Sequence, residues 1–466
     1  MLEAYSCRLQ EPLRVAVAGM AKAGKSTLLN AIIGEEIAAT DAGECTKVVT
    51  WYRHGHVPKL TLHPVEGQPR ELPIRRREGH LVLTLDGHRP EEVKHLVVDW
   101  PSPALKNLTL IDTPGLASLA ESVSARSENS MAPDDAPSDA DAIIYLMRHL
   151  HSSDVKFLEA LQDPKRRFSG AVSSLVVLSR VDEIGAGRIE SLVSAGRIAD
   201  RYRQDKKLRR LSLGIIPVAG LLAQTARTLR QSEYVALAEL AKVDRSARER
   251  TLLSTDIFLA SKNPSTVNEE MRTCLVNRFG IFGIRLAVVL IQSGSNDATT
   301  LAQELARRSG LDELLDLLQG QFQARAAELK IRSVIMGVDQ LLKDRPRPGA
   351  ERVSPMLERL LSASHEPREL RLLMRLRSGA ATLPREFAPE AEQLLGGSGT
   401  SVSKRLGLPE EAYQSEIEEA ALAAVKRWRT LSEHPLSDRA VIDVCRTIVR
   451  TCEGIIEDLQ STADQR

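Results

Sequence analysis

Two regimes of hydrophobic spacing divide the chain. Up to about residue 218 the apolar positions fall in short continuous or alternating runs, at 13–18, 48–52, 59–62, 81–85, 107–111, 142–146, 174–178 and 213–218, and each run predicts a strand. Gly55, Gly67, Gly79 and Gly87 punctuate the region from 48 to 98 as turns. Helical spacing appears at 26–33, stopping at Gly34, and again at 152–162 and 188–203. Strand and helix alternating through five or six strands predict an α/β fold with a doubly wound parallel sheet, whose ligand would lie at the carboxyl ends of the strands.

Beyond Gly220 strand signals largely vanish. Segments 221–247, 268–292, 298–319, 321–343, 352–378, 385–395, 409–431 and 438–462 read as helices, with Pro346 and Pro348 marking a linker. In the last segment Val441, Val444, Cys445, Ile448, Val449, Cys452, Ile455, Ile456 and Leu459 recur at steps of three and four. That is one apolar helix face, and it puts both cysteines into packing rather than chemistry. Gly396-Gly397-Ser398-Gly399-Thr400 has the look of a phosphate loop, but no strand precedes it and no Gly-Lys pair follows, so it reads as a flexible turn. Lys426-Arg427-Trp428-Arg429 reads as a half-buried tryptophan with solvated neighbours rather than a lipid contact.

Composition narrows this picture. Of 466 residues 42% are hydrophobic but only 3% aromatic, so the core is built from Leu, Ala, Val and Ile, which suits helices and parallel strands better than a β-sandwich. Lys plus Arg number 63 against 62 Asp plus Glu, and a net charge of +1 supplies no whole-chain attraction to nucleic acid or an anionic membrane. The basic run 201–210 and Arg75-Arg76-Arg77 read as solvated ends of elements. Cys7, Cys45, Cys274, Cys445 and Cys452 lack zinc or redox spacing and read as reduced thiols of a cytoplasmic protein. His54, His56 and His63 have no carboxylate or cysteine at ligand spacing and read as surface residues. The N-terminus lacks a secretory pattern, and the apolar run 281–291 is short for a bilayer and interrupted by Arg285, so no membrane crossing is expected.

The chemistry concentrates in Gly19-Met20-Ala21-Lys22-Ala23-Gly24-Lys25-Ser26, the G-x-x-x-x-G-K-[ST] phosphate-binding pattern set between a predicted strand and a predicted helix. Gly19 and Gly24 let the backbone curl so that N–H groups from Ala23 to Thr27 and the helix N-terminus face an anion. Lys25 reaches the outer phosphates and Ser26 offers its hydroxyl to a magnesium ion. Thr46, between the following helix and the next strand, is spaced to reach magnesium and a γ-phosphate; an ordinary loop threonine is the alternative. About ninety residues after the loop, strand 107–111 ends in Asp112-Thr113-Pro114-Gly115. An aspartate there holds a magnesium-bound water, and the Gly115 N–H meets a γ-phosphate. The Ser-, Ala-, Asp- and Pro-rich stretch 117–139 follows as a mobile loop. A further strand ends in Ser179-Arg180-Val181-Asp182, where the carboxylate accepts the two N–H groups of guanine's edge and Arg180 covers the base.

These motifs, in this order, are those of guanine-nucleotide hydrolases. A large G domain backed by long helices resembles the bacterial dynamin-like proteins, most closely an actinobacterial, isoniazid-inducible branch. The stretches at 45–55, 179–189, 220–233, 278–285 and 396–400 carry the closer likeness, so it runs through nearly the whole chain. The resemblance implies a GTP- and Mg²⁺-dependent hydrolase that binds GTP or GDP. It also implies a G domain over 1–320, with a core at 11–220 and packed helices at 221–320, and an α-helical bundle or stalk over 321–466. Partners implied are a second copy or a dynamin-like paralogue, met through the G domain and stalk. Membrane remodelling is implied too, with peripheral lipid contact at the inner face of the plasma membrane, though nothing in 320–466 has the apolar character of an inserting paddle.

Three positions depart from the wider pattern. Ser179-Arg180 stands where Asn or Thr, then Lys, is usual. Leu116 replaces a water-orienting glutamine, as in dynamins generally. Lys22 replaces a small polar residue, which suggests that it supplies transition-state charge in cis; a solvent lysine near a polyanion is the alternative. Two other functions fit less well. A low-turnover, GTP-dependent scaffold for a more active paralogue is compatible with Leu116. A ribosome-assembly GTPase is disfavoured by the even charge and by the lack of a basic RNA-binding appendage.

Overall fold

The computed structural model describes residues 2–38, 48–77, 80–113, 140–161, 174–186, 190–260, 267–344, 350–363, 365–377, 386–435 and 437–463, with Arg188, Ala381, Leu383 and Pro384 singly. Thr46, Gly115, Leu116, the stretch 117–139 and the Pro346–Pro348 linker lie outside the described residues.

Eleven strands are described: β1 (Leu13–Gly19), β2 (Thr50–His54), β3 (Lys59–Pro64), β4 (Arg70–Leu72), β5 (Arg75–Arg77), β6 (His80–Val82), β7 (Val93–Trp100), β8 (Leu108–Asp112), β9 (Ala142–Met147), β10 (Ser174–Ser179) and β11 (Ile215–Val218). Nine form one sheet in the order β11-β10-β9-β1-β8-β2-β7-β3-β4. From β11 to β8 every pairing is parallel, with Val15 beside Leu110 and Ala142, for example. These strands are buried on both faces, which is why their sequences are continuously apolar. Val15, Val17, Leu108 and Leu110 meet Leu28, Leu29 and Ile32 of the helix Lys25–Ile33 on one face. Ala16, Ala18, Ile143 and Tyr145 meet Leu158, Leu208 and Leu211 on the other.

The doubly wound parallel part is as expected, and beyond β8 the sheet is mixed. β2 runs antiparallel to β8, with Thr50 opposite Asp112; β7 is parallel to β2, and β3 and β4 are antiparallel additions. The short β3–β4 connection makes an antiparallel hairpin, whereas β7 returns parallel to β2 only after the chain has passed through β3 to β6. The eight-residue β7 has no counterpart among the predicted strands, and the predicted strand at 81–85 is reduced to β6, paired only with β5.

The helices fall close to prediction with three breaks. Segment 221–247 divides into Gly220–Arg227, Gln231–Lys242 and the start of a short helix, Arg245–Thr251. Segment 352–378 divides into Ala350–Ala363 and His365–Arg377, and Pro367 suits the first turn of the second helix. The helix Glu269–Gln292 is kinked at Gly280. By length and composition it is apolar enough to span a bilayer, but its apolar side chains pack into a second core with Leu222, Leu237 and Leu305.

The expected change of domain at 320 falls inside a continuous helical run. The helix Leu311–Leu317 passes through a π-helical turn, Leu318–Gln323, into the helix Ala326–Asp344. Described side chains on both sides of that run share a core with the sheet. Leu318, Phe322, Leu373, Leu394, Trp428, Cys445 and Cys452 share one contiguous core with Leu13 and Leu108. Polar ties reinforce the contact: Arg377 Nη1 donates to the Leu213 carbonyl at 3.0 Å, and Arg209 pairs with Glu392 at 2.7 Å. The N-terminal helix Leu2–Gln10, another element absent from the sequence reading, bridges the two regions. Its Arg8 forms a buried pair with Asp141, and Lys330 donates to the carbonyls of Leu9 at 2.7 Å and Glu11 at 3.0 Å.

Two local expectations are corrected. Residues 396–400 form a tightly held turn, not a flexible one. The Gly396 carbonyl accepts from Arg325 Nη2 at 2.9 Å and Gln321 Nε2 at 3.2 Å, and Arg377 reaches the Gly397 carbonyl at 3.2 Å. Buried arginines need such acceptors, and glycine carbonyls are the most accessible. Trp428 is fully buried rather than half-buried, edge-on to Phe387, while Lys426, Arg427 and Arg429 are exposed as expected.

Candidate nucleotide-binding site

β1 ends at Gly19, where a side chain would meet the Leu146 carbonyl of β9 at 2.5 Å; glycine alone allows this approach, and its φ of +151° is one that L-residues rarely adopt. The loop then passes Lys22, at φ +60°, and Gly24, at φ +92°, into the helix Lys25–Ile33. Its N-terminus therefore opens at the carboxyl ends of β1, β8 and β9, with unpaired amides turned to the crevice.

Within that crevice the structure brings together residues far apart in sequence. Ser26 Oγ donates to Asp112 Oδ2 at 3.2 Å. Lys25 Nζ lies 3.4 Å from the carbonyls of Gly19 and Met20. Burial lowers the Lys25 pKa against the pull of Asp112. Burial pushes the Asp112 carboxyl up to about 6, because Lys25 and Ser26 only partly offset it. Thr113 anchors the end of β8, its hydroxyl donating to the Val17 carbonyl at 2.8 Å. A hydroxyl beside an under-compensated carboxylate is a hard oxygen donor set, and it fits a small divalent cation.

A cavity of about 120 Å³ lies on the other side of the loop. Ala23, Gly24 and Thr27 form one wall, and Ser179, Arg180 and Asp182 another. Asp182 is partly buried and its pKa is raised, chiefly by burial, with Arg180 and Arg148 opposing the shift. Ser179 Oγ donates to the Met147 carbonyl at 3.2 Å, so it secures the pocket floor and does not point to a ligand. Arg180, expected over the base, has φ +52° and pairs with Glu183. The Lys22 side chain is exposed.

The sequence reading missed the rest of the cavity wall: Leu28, Leu146, Val177, Glu183, Val218, Gly220 and Leu221. The signal was present for Gly220, which ends the last strand's run, but apolar wall residues carry no motif. It also missed Asn30, buried in the loop's helix, which accepts from the backbone N–H of Ile37 and Ala38 at 2.9 and 2.7 Å and fixes the root of the segment leading to Thr46. Among the described residues no group of three or more His, Cys, Asp or Glu could hold a metal ion.

A strand-loop-helix phosphate cradle, a carboxylate at the end of the adjacent strand and a base-sized cavity at the third strand define a mononucleotide-binding α/β protein. The dynamin family model matches residues 15–181. The chain is 40% identical over 460 residues to isoniazid-induced protein IniC of Mycobacterium tuberculosis, covering 99% of this chain and 93% of the relative. It is 31% identical over 150 residues to the bacterial dynamin-like protein of Nostoc punctiforme, covering 30% of this chain and 21% of that one. A solved structure of an oligomerised bacterial dynamin pair, described as a mechanism for long-range sensing and tethering of membranes, aligns at 12% identity and a TM-score of 0.32, covering 99% of this chain and 73% of that one. The chain belongs to the dynamin family, among the bacterial dynamin-like GTPases close to IniC.

Proposed function

We propose that this protein binds and hydrolyses GTP with Mg²⁺, and that GTP-driven pairing of its nucleotide domains is coupled to movement of the helical region. The observation that carries this reading is the Ser26–Asp112 hydrogen bond at 3.2 Å beside Lys25, at the mouth of the phosphate cradle. Lys25 and the amides of Ala23, Gly24, Ser26 and Thr27 would grip the phosphates, with the Gly115 N–H at the γ-phosphate. Ser26 and Thr46 would ligate Mg²⁺, with Asp112 behind them; the ion supplies charge neutralisation between the outer phosphates. Asp182 would read the N1–H and N2–H edge of guanine, where adenine leaves a partly buried carboxylate unpaired. Lys22 would add positive charge as the γ-phosphate leaves.

The same proposal assigns a nucleotide domain to residues 1–320 and a helical stalk to 321–466, with the boundary inside the helical run and a core shared across it. Pairing with a second copy or a dynamin-like paralogue, peripheral contact with lipid at the inner face of the plasma membrane, and a part in membrane remodelling belong to the same proposal. The test is GTP against ATP hydrolysis across a protein-concentration series, with and without Mg²⁺ and liposomes, beside Lys25→Ala. Mg²⁺-dependent GTP turnover that rises per molecule with concentration, and is lost in Lys25→Ala, is expected. Folded protein that takes up no GTP at millimolar concentration, or that turns over ATP equally well, overturns the reading. Tight GTP binding with negligible turnover at every concentration would instead favour the scaffold.

A further inference from the structure

Among the described residues three non-glycine residues have positive φ: Lys22 at +60°, Arg180 at +52° and Asp86 at +50°. The first lies in the phosphate loop and the second beside the base cavity. One polar chain joins them. Arg148 follows β9 and turns back over the loop, where its Nη2 donates to the Lys22 carbonyl at 3.2 Å. The same nitrogen stands 3.9 Å from Glu183 Oε2, and the other oxygen of Glu183 holds the Arg180 guanidinium. The chain therefore runs from the Lys22 carbonyl through Arg148 and Glu183 to Arg180, and all three side chains act on the charge of Asp182.

A non-glycine residue in the left-handed region is strained and persists only when its surroundings hold it. An isolated pair between half-exposed side chains contributes little to stability, and Arg148 and Glu183 are 44% and 52% exposed. Here, however, the pair ends on two strained residues whose backbones shape the two halves of one pocket. Lys22 sets the curl that aims the loop amides. Arg180 sets the turn that presents Asp182.

We propose that Arg148, with Glu183, is a positioning residue of the nucleotide site: a clasp that holds Lys22 and Arg180 in the left-handed conformations in which the phosphate and base subsites face the same ligand. The inference rests on the guanine-nucleotide reading above. Arg148 acts here through the Lys22 backbone and not on the γ-phosphate, so both GDP and GTP should sense its loss.

The test measures binding of fluorescent GDP and a non-hydrolysable GTP analogue, and steady-state GTP kinetics, in wild type, Arg148→Ala, Arg148→Lys, Glu183→Gln and the Arg148→Ala/Glu183→Gln double variant. Loss of a hydrogen bond of this kind corresponds to about three- to tenfold weaker binding. Arg148→Ala should weaken GDP and GTP by the same factor, raise KM by that factor and lower kcat less. Arg148→Lys should recover part of the loss. The double variant should be no weaker than the worse single variant, because both residues act as one unit. Unchanged GDP affinity in Arg148→Ala, a loss confined to GTP, or additive losses in the double variant would each overturn the clasp. Melting of the nucleotide-free variants checks the fold, and if Arg148→Ala melts early, Arg148→Lys and Glu183→Gln carry the comparison. Wild-type protein that binds no guanine nucleotide sinks the underlying reading as well. Wild-type protein that binds while the variants match it sinks the clasp alone.

Discussion

The guanidinium of Arg278 meets the carboxylate of Glu36, 242 residues away in sequence, with both side chains buried. Glu36 stands three residues before the segment 39–47 that contains Thr46, and Arg278 stands two before the kink at Gly280. Glu233 pairs with the same guanidinium, and Thr228 accepts from it through its carbonyl at 2.8 Å and its hydroxyl at 3.0 Å. Glu36 is thereby fixed to the helices that follow the sheet.

Removing the cation should leave two buried carboxylates uncompensated. Arg278→Met is expected to lower the unfolding free energy by roughly 3–5 kcal/mol. Adding Glu36→Gln and Glu233→Gln should return much of that loss, since neutral amides no longer carry the desolvation penalty. Chemical denaturation of the single and triple variants reads both effects; a single variant within about 1 kcal/mol of wild type would show that the cluster holds nothing together.

Asp112 gives the nucleotide-free protein a pH dependence of definite sign. Its carboxyl titrates at about 6 in the folded protein because burial outweighs Lys25 and Ser26. The folded state thus holds this proton more tightly than the unfolded chain, and its stabilisation, full below the ordinary carboxylate range, is lost as pH rises through about 6. With chelator and no nucleotide, stability should fall by roughly 2–3 kcal/mol between pH 4 and 6.5 from this group. Asp112→Asn should flatten that part of the profile and raise stability at pH 7. Superimposable profiles for the two proteins would count against a strained carboxylate.

Trp428 is buried to 0% exposure, its ring 5.7 Å from that of Phe387. Trp428→Ala should destabilise the protein by roughly 3–5 kcal/mol. With Trp51 and Trp100 replaced by Phe, the emission of Trp428 should be blue-shifted and should not move when liposomes are added. A red-shifted, lipid-responsive emission would place the ring at the surface after all.

The legible part of the fold was the part governed by local rules. The strand at 13–18, the glycine loop and the helix ending at Gly34 follow from backbone freedom and apolar spacing within a few residues, and the structure reproduces them as β1, the loop and Lys25–Ile33. The strands ending at Asp112 and before Asp182 were legible for the same reason. β7 was not, because Leu96-Val97-Val98 sits among polar residues and declares itself a strand only by pairing with Trp51, Tyr52 and their neighbours. Arg148 carried no signal either: an arginine after a strand is ordinary until the fold lays it across Lys22.

The sequence alone determined the chemistry of the pocket: which loop curls, which lysine and serine follow it, and which aspartates end the neighbouring strands. These depend on residue type and short-range geometry, and no packing is needed to read them. Only tertiary structure decided that the sheet becomes mixed beyond β8, that side chains after residue 320 share its core, and that Trp428 and the turn at 396–400 are enclosed. Each of those outcomes is set by contact between segments distant in sequence, and a periodic pattern says that a face will be covered without saying by what.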